Sequence, residues 1–568
     1  MKQMIYKVFD TIFFIFLFIA CSPVNENLID GSHIESNPSY AEGILLQGYK
    51  GLIDNYQTSA EATDDAVNNQ IQNGLRKMAT GELTARNNPL SRWDKYKQIF
   101  YLNKFLNIVE KITWKEDPEL QELYVRRLTG EALALRALLH FYILQAHAGY
   151  DDSGILMGVP YYKEFIDYDG DFNLPRCTFE ETVNKIEEDF NAAYELLPYI
   201  YSNNPSDIPD KDKHYDTDAY LTVNGAVFNQ RIQGQIVRAL QARLHLMAAS
   251  PAFLNSKEQY KLAAQYAVQL CEKVNYTLAP DGIEFYNADD DRNNLEILWR
   301  NSISQQSWFE QNQFPYSLNG SGHLNPSQNL VDAFYKADGY PISENSGINY
   351  DPQNPYINRD PRLATYILYN GGKIGDKIIT INENSNDGVD KVIEKSTRTG
   401  YYLKKSLRPD VVIPQSGNPV SKDHFGVYLR YTELFLILAE SLNEIGGPDY
   451  KGEGSSKSAR DIIRLIRARA LKLTVDSYLD NISGDGEMRN LIRNERRLEL
   501  CFEGFRFWDL RRYKAALNET VRGIVNDGTT YRIIDVEKRA MEGDKYYYMP
   551  LPYNEVIKFS ALTQNVGW

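Results

Sequence analysis

Residues 493–513 read RNERRLELCFEGFRFWDLRRY. Leu491, Leu498, Cys501, Phe502, Phe505 and Trp508 recur at helical spacing and form one apolar stripe. Glu495, Glu499 and Glu503 follow one another at i,i+4, with Arg496, Arg497, Arg506, Arg511 and Arg512 between or just beyond them. Carboxylates at that spacing repel mildly, so cations must stand beside them, and the neighbouring arginines are expected to serve. Gly504 predicts a turn between two helices. The expected role of the stretch is a structural ionic–aromatic corner packed against other helices. The competing reading is a catalytic carboxylate pair held at a set distance, as in glycosidases. Nothing among the 76 acidic residues singles out such a pair.

Working outward, 568 residues with 43% hydrophobic and 24% charged content describe a globular chain whose core is not limited by length. A net charge of −14 argues against a nucleic-acid partner and against electrostatic docking on anionic lipid. The 40 tyrosines supply flat apolar faces that end in a hydroxyl, which suits partly polar ligands. With seven His and four Cys, a His/Cys metal site is not expected. Cys177, Cys271 and Cys501 are too far apart for a disulfide framework. Cys271 and Cys501 fall on apolar helix faces and read as small core residues.

The N-terminus reads as a targeting segment, residues 1–20. Lys2 and Lys7 precede the apolar run TIFFIFLFIA (Thr11–Ala20). That run is too short to span a bilayer of about 30 Å and suits a signal-peptide core. Ile19-Ala20-Cys21 resembles a bacterial lipobox, with Phe18 where Leu is usual. Cys21 is therefore predicted to be lipidated and to become the mature N-terminus. Residues 21–38 form a polar tether, and residues 39–568 form a single domain.

Helical patterning starts near Ser39. Thr63-Asp64-Asp65-Ala66 could cap a following helix, residues 80–91 read as a loop, and Trp93–Ile112 and Leu120–Tyr150 read as helices, the latter with Gly149 as C-cap. Further helices are predicted at 178–198, 231–249 and 257–274. Alanines at 239, 242, 248, 263, 264 and 267 would let helices approach closely, as in degenerate tetratricopeptide-like pairs. From 277 to 423 Gly, Pro and Asn rise. Glu296–Arg300 could be a strand, Asp360-Pro361 could cap a short helix, and KIITI (377–381), KVIEK (391–395) and TGYYLKK suggest small hairpins. Helices resume over 424–520. The fold class is mainly α: an irregular superhelix of helix pairs (about 39–275 and 424–520) with a loop-rich region of small β-hairpins (about 277–423).

Nucleotide-loop, dinucleotide, nucleophile-elbow and H-E-x-x-H motifs are missing from the sequence. Asp167/Asp169/Asp171 and Asp289/Asp290/Asp291 offer oxygen ligands for Ca²⁺, but both lack the sixth-position Gly and distal Glu of an EF-hand loop. They read as solvated loops, and no metal or other cofactor is expected. A binding surface is easier to argue. Sugars present an apolar face, on which aromatic rings stack, and hydroxyls, which Asp, Asn, Gln and Arg satisfy. Such a set belongs on exposed loops. Trp308, Phe309 and Tyr316 lie in a polar loop without helical periodicity and are the first candidates. Arg86 and Asn87, with Asp64 and Asp65, are the second. Trp93 and Trp508 read as core.

Four stretches carry a resemblance: ERRLELCFEGFRFWDLRR (495–512), NPSQNLVDAF (325–334), LRYTELFLILAE (429–440) and the terminal SALTQNVGW, with Val566 where Pro is usual. Together they resemble the SusD/RagB family of outer-membrane nutrient-binding lipoproteins, over nearly all of residues 21–568. The resemblance implies a protein anchored at the cell surface of the outer membrane through Cys21. It implies binding of an oligosaccharide or polysaccharide without bond chemistry, and delivery to a SusC-type TonB-dependent barrel. It also implies ligand contacts from the two loop regions just named. A peptide-binding member of the same architecture, a surface glycoside hydrolase and a helical scaffold without a small ligand are the alternatives.

Overall fold

The computed structural model describes residues 37–167, 169–279 and 295–568. The signal segment, Cys21 and the Asp289/Asp290/Asp291 run lie outside the described residues.

Helix α1 (Pro38–Tyr49) begins where Asn37 accepts the Ser39 N–H and Pro38 fills a position that needs no donor. It packs on α2 (Tyr96–Ile108), and Gly48 is required there: a Cβ would lie 2.7 Å from Leu102. Asp117 caps α3 (Pro118–His147), a helix of 30 residues and so about 45 Å long, which packs on α4 (Phe179–Leu196). Helix α3 ends at His147 with Ala148 as C-cap, because Gly149 already pairs as a strand with Met157. Helices α5 (Gly234–Ala249) and α6 (Lys257–Lys273) form the next pair, with Ala239, Ala242, Ala263 and Ala267 buried. Helix α6 also lies along a helix from the C-terminal half, described below, which joins the two helical stretches into one hydrophobic core. Cys271 and Cys501 are buried in that core.

The loop-rich region departs from local hairpins. Its strands pair mostly with distant segments: Ala66–Asn68 with Leu324–Pro326, Ile297–Arg300 with Val427–Arg430, Ser304–Gln306 with Lys422–His424, and Ile367–Leu368 with Tyr402–Leu403. Lys377–Ile378 does form a small hairpin with Lys373–Ile374, whereas residues 391–395 are turns. Thr63–Asp65 caps no helix; the Thr63 hydroxyl instead closes a turn onto Ala60, and a strand follows. The segment expected as an unbroken loop holds helix α7 (Trp308–Gln313). Asp360 caps its helix as expected, by accepting the Arg362 N–H. The longest hairpin, Thr520–Asn526 with Tyr531–Lys538, follows the last helices.

Helices α8 (Tyr431–Gly446), α9 (Ala459–Leu471), α10 (Asp485–Glu499) and α11 (Arg506–Arg512) close the core, and α8 is the helix along α6. Gly504 makes the turn before α11 with φ +84°, and a Cβ there would sit 2.8 Å from Gln57. The three glutamates of the decisive stretch are buried, and their partners are not the neighbouring arginines, which serve Asp509 among others. Glu495 bonds Arg362 (3.0 Å) and Arg467 (3.1 Å); Glu499 bonds Arg469 (2.5 Å), Arg362 (3.2 Å) and Arg430 (3.4 Å); Glu503 bonds Lys405 (2.7 Å) and Arg430 (2.8 Å). Buried Glu296 joins the cluster through Arg430 and Arg469. The local arginines serve other carboxylates: Arg496 bonds Asp509, Arg512 bonds Glu440 and Asp509, and Arg497 and Arg506 reach Asp64. Helical geometry explains the difference. Glu495 and Glu499 share the face of α10 turned into the core, so only guanidinium groups from facing segments can reach them.

Burial alone would raise the Glu499 pKa, but Arg469, Arg430, Arg362 and Lys405 together hold it well below the usual carboxylate range. Its contribution to stability is complete above its ordinary value of 4.5 and is lost as the pH falls toward the depressed folded value. Glu499→Gln is expected to destabilise the fold at pH 7 by about 3–5 kcal/mol, because it strands buried cations. Denaturant unfolding of variant and wild type checks this, with the gap narrowing in acid; a loss below about 1 kcal/mol, the range of a surface pair, would contradict it.

Candidate functional site

Between α1 and the first strand the chain turns outward. The Asn55 N–H donates to the Val427 carbonyl (3.0 Å), and Asn55 Oδ1 accepts the Val427 N–H (2.8 Å). This docks residues 52–59 onto the strand Val427–Arg430. Tyr56 then meets the α7 aromatics edge-on, with ring centroids 4.6 Å from Phe309 and 5.8 Å from Trp308. Phe309 is 5% exposed and serves as the wall behind the cluster, while Trp308 is 45% exposed and presents its face to solvent. The Trp308 indole N–H donates to Gln306, on the strand that pairs with Lys422–His424.

Beside this cluster, residues 52–59 and 89–95 face each other across a groove of about 310 Å³, floored by Ser59 and Trp508. A smaller cavity of about 90 Å³ shares Asp54, Gln57, Arg92 and Trp508 with it and reaches Tyr142, Gln145, Arg243 and Glu433. His147, at the end of α3, fixes the 89–95 wall. Its Nδ1–H donates to the Pro550 carbonyl (2.8 Å), which leaves Nε2 to accept the Arg92 N–H (3.2 Å). Burial pushes the His147 pKa down to about 3, so it stays neutral and keeps that acceptor.

Four charged side chains line the groove, of which Lys95 and Asp94 pair with each other (3.2 Å), leaving Arg92 and Asp54. The Arg92 guanidinium lies over Trp508 (4.2 Å) and donates to Gln145 Oε1 (2.5 Å); no carboxylate among the described residues pairs with it. Burial pushes its pKa down to about 10, which leaves it cationic at neutral pH. Asp54 accepts the Tyr56 N–H (3.1 Å) and has no cation partner among the described residues; burial raises its carboxyl above the usual value. With Gln57 these side chains place donors and acceptors next to an aromatic face.

The predicted residues divide. Trp308 and Phe309 do not line this groove themselves but pack on Tyr56, which lies between its lining residues Asp54 and Gln57. Tyr316 is 36% exposed with Lys395 5.8 Å from its ring, and no ring contact joins it to Trp308. Arg86 stacks on Tyr553 (3.5 Å) and Asn87 donates to the Glu82 carbonyl, so their turn is directed away, while Pro89 and Leu90 after it line the groove. Asp64 and Asp65 are engaged in buried ion pairs, Asp64 with Arg497 (2.9 Å) and Arg506 (2.7 Å), Asp65 with Arg497 (2.6 Å). Burial would raise the Asp64 pKa, yet the two guanidinium groups hold it well below the usual range. These carboxylates anchor α10 and α11 to the first strand instead of facing a ligand. Arg92, Asp54, Tyr56 and Gln57 were not singled out in the sequence; the only signal was a polar, Gly-free run after Ile53.

A larger groove of about 580 Å³ lies on the other side of Asp94, walled by Trp93, Tyr96, Phe100, Tyr162, Phe172 and Phe559. Trp93 is thus a half-exposed wall and not core. The Tyr96 and Tyr162 hydroxyls donate to the carbonyls of Pro160 and Phe172, while Asp94, Lys97, Asn103, Glu164, Glu555 and Lys558 also line this groove. No cluster of three or more His, Cys, Asp or Glu among the described residues is arranged to hold a metal ion. No described helix is long and apolar enough to cross a membrane.

The model of the SusD family matches residues 287–568, and a second model, described as starch-binding associating with outer membrane, matches residues 39–217. The chain belongs to the SusD family. SusD-like protein P38 of Formosa agariphila is 24% identical over 526 residues, 91% of this chain and 85% of that protein. Among solved structures, a SusD-like protein of Bacteroides fragilis superposes with a TM-score of 0.74 at 24% identity, covering 96% of this chain and all of that one. Surface glycan-binding protein A of Bacteroides fluxus superposes at 0.60 with 15% identity, covering 94% of this chain and all of that one. These neighbours share the mainly helical SusD architecture.

The two kinds of charge predict different mutational costs. Asp64→Asn is expected to lower stability by about 3 kcal/mol, since it removes the partner of two nearly buried guanidinium groups. Arg92→Met, which keeps the stem over Trp508, should cost about 1 kcal/mol or less. Thermal unfolding of both variants decides; the reverse order would show that Arg92 is the structural charge.

Proposed function

We propose that this SusD-family protein binds an oligosaccharide or polysaccharide at the groove beside Trp308 by reversible contact without bond chemistry. The observation that carries this reading is the exposed Trp308, braced edge-on by Tyr56 and Phe309, with Tyr56 lying in the chain between Asp54 and Gln57 of a groove that also holds Arg92. A sugar ring would lay its C–H face on the indole and turn its hydroxyls toward these polar groups. The groove behind Trp93 has the larger apolar share, so we place the sugar at the more polar groove of Asp54 and Arg92. Micromolar binding, about −8 kcal/mol, is within reach of a few stacked rings and several hydrogen bonds. The glycan-binding name of the Bacteroides fluxus neighbour and the starch-binding description of the N-terminal model support the same ligand class. On this reading Cys21 carries a lipid that anchors the protein at the outer cell surface, and the bound glycan passes to a SusC-type TonB-dependent barrel.

The test is retention of the chain from residue 22 onward, which keeps every described element, on a panel of plant, host and microbial polysaccharides. One glycan is expected to retain the protein. Trp308→Ala should weaken that binding about tenfold or more, a loss of about 1.4 kcal/mol or more. Retention unaffected by the substitution would move the site away from Trp308. Binding of peptides alone would replace the glycan with a peptide ligand, and release of reducing sugar would make the protein a hydrolase.

A further inference from the structure

Trp308 is held from behind by a buried pair that its own exposure conceals. Two residues after it on α7, Glu310 turns inward, and Glu310 Oε1 lies 2.9 Å from His424 Nε2 with both side chains fully buried. The same oxygen accepts the backbone N–H of Arg408 at 2.9 Å. Glu310 Oε2 is buried without a hydrogen-bond partner among the described residues. On the other side of the imidazole, Nδ1 lies 2.8 Å from the Lys422 carbonyl.

The protonation state follows from the acceptors. A carbonyl oxygen only accepts, so His424 Nδ1 carries a hydrogen. A carboxylate also only accepts, so a second proton must lie between Nε2 and Oε1. The Arg408 N–H on the same oxygen favours the ionised acid, which makes the pair an imidazolium against a carboxylate; a neutral ring would point a lone pair at a buried anion. The charged groups around it are Arg408, itself paired with Asp410 (2.8 Å), Lys422, which also reaches Asp410 (3.4 Å), and Asp423 on the strand. Burial would lower the His424 pKa, but the Glu310 bond and charge with the Lys422 carbonyl outweigh it and raise the group above its ordinary 6.5. The linkage sign follows. The pair's contribution is complete below that ordinary value and is lost as the pH rises through the raised folded value.

We propose that His424 is the positioning residue of the ligand face: through Glu310 it latches α7 to the strand Lys422–His424, and loss of its proton loosens Trp308. The geometry gives the latch a short lever. Helix α7 has six residues and no side-chain N-cap, so its placement depends on Phe309, Glu310 and the strand pair beside it. Without the shared proton Glu310 becomes a buried, unneutralised carboxylate, which is relieved by letting α7 move toward water. Trp308, already at the surface, moves with it. The consequence for ligand binding rests on the proposed Trp308 site: affinity would be flat from acid to neutral pH and fall in alkali.

The experiment reads the latch without any glycan. Ring resonances of ¹³C-labelled histidine in the chain from residue 22 onward, with His424 assigned by its loss in His424→Gln, should show both ring nitrogens protonated at pH 7. Glu310→Gln, nearly isosteric, should shift the titration to lower pH. Acrylamide quenching of Trp308, isolated by difference from Trp308→Phe, should stay low to neutral pH and rise as His424 deprotonates. In Glu310→Gln, which leaves no anion to bury and whose amide can donate to a neutral Nε2, it should stay low at every pH, with far-ultraviolet circular dichroism unchanged. A neutral His424 ring at pH 7, wild-type Trp308 quenching that is the same at every pH, or quenching that rises with pH in Glu310→Gln just as in the wild type, would overturn the proposal. A protein that shows the titration and the quenching but retains no polysaccharide keeps the latch and loses the glycan reading. Glycan binding through Trp308 that ignores pH does the opposite.

Discussion

The structure depends on keeping four glutamates charged inside the core. Glu296, Glu495, Glu499 and Glu503 are buried, and so are the guanidinium groups of Arg362, Arg430, Arg467 and Arg469 that face them. Removing such charges from water costs several kcal/mol per ion, so the arrangement is tolerable only when each oxygen is bonded. Here one guanidinium often serves two carboxylates, as Arg362 does for Glu495 and Glu499. The donors come from a short helix, a strand end and α9, and the acceptors from α10 and a strand start. The network is therefore the joint at which helices and loop-rich region meet. A purely apolar joint would give less direction, because dispersion contacts do not fix one partner against another.

That joint sets the ligand face by a short path. Glu296 begins the strand Ile297–Arg300, and Arg430 ends the strand paired with it. The same two segments continue into the pair Ser304–Gln306 with Lys422–His424, and Trp308 follows two residues later. The opposite wall is fixed by different means, with His147 at the end of α3 holding the backbone of Arg92. Both walls, 52–59 and 89–95, thus come from the N-terminal stretch, one docked on the strand Val427–Arg430 and the other on the end of α3. Only their correct apposition brings Arg92 and Asp54 near Trp308. An aromatic platform on a mobile loop would lose affinity to ordering entropy; here that entropy is paid on folding.

Much of the fold was legible in the sequence, for identifiable reasons. The helices of the two stretches announce themselves through apolar spacing, Asp360-Pro361 marks a helix start, and Gly504 marks the turn that its φ of +84° requires. The pairing of short strands was not legible, because two- to four-residue strands carry no period and their partners lie far off in the chain. The same distance hid the true partners of Glu495 and Glu499, which no i,i+4 rule can name. Of the candidate site, Trp308 was visible as an aromatic in a polar run. Asp64 and Asp65 misled, since a dense acidic pair looks the same in sequence whether it faces a ligand or Arg497 and Arg506. Arg92 and Asp54 gain meaning only from the partners they lack.

The most direct measurement of the central claim is a crystal structure of the protein with a retained oligosaccharide bound. The account places a sugar ring flat against Trp308, with hydroxyls within hydrogen-bond distance of Asp54, Gln57 or Arg92 and the Glu495–Glu499 network unmoved. A sugar seated instead in the groove of Trp93, Tyr162 and Phe559, with Trp308 bare, would contradict it.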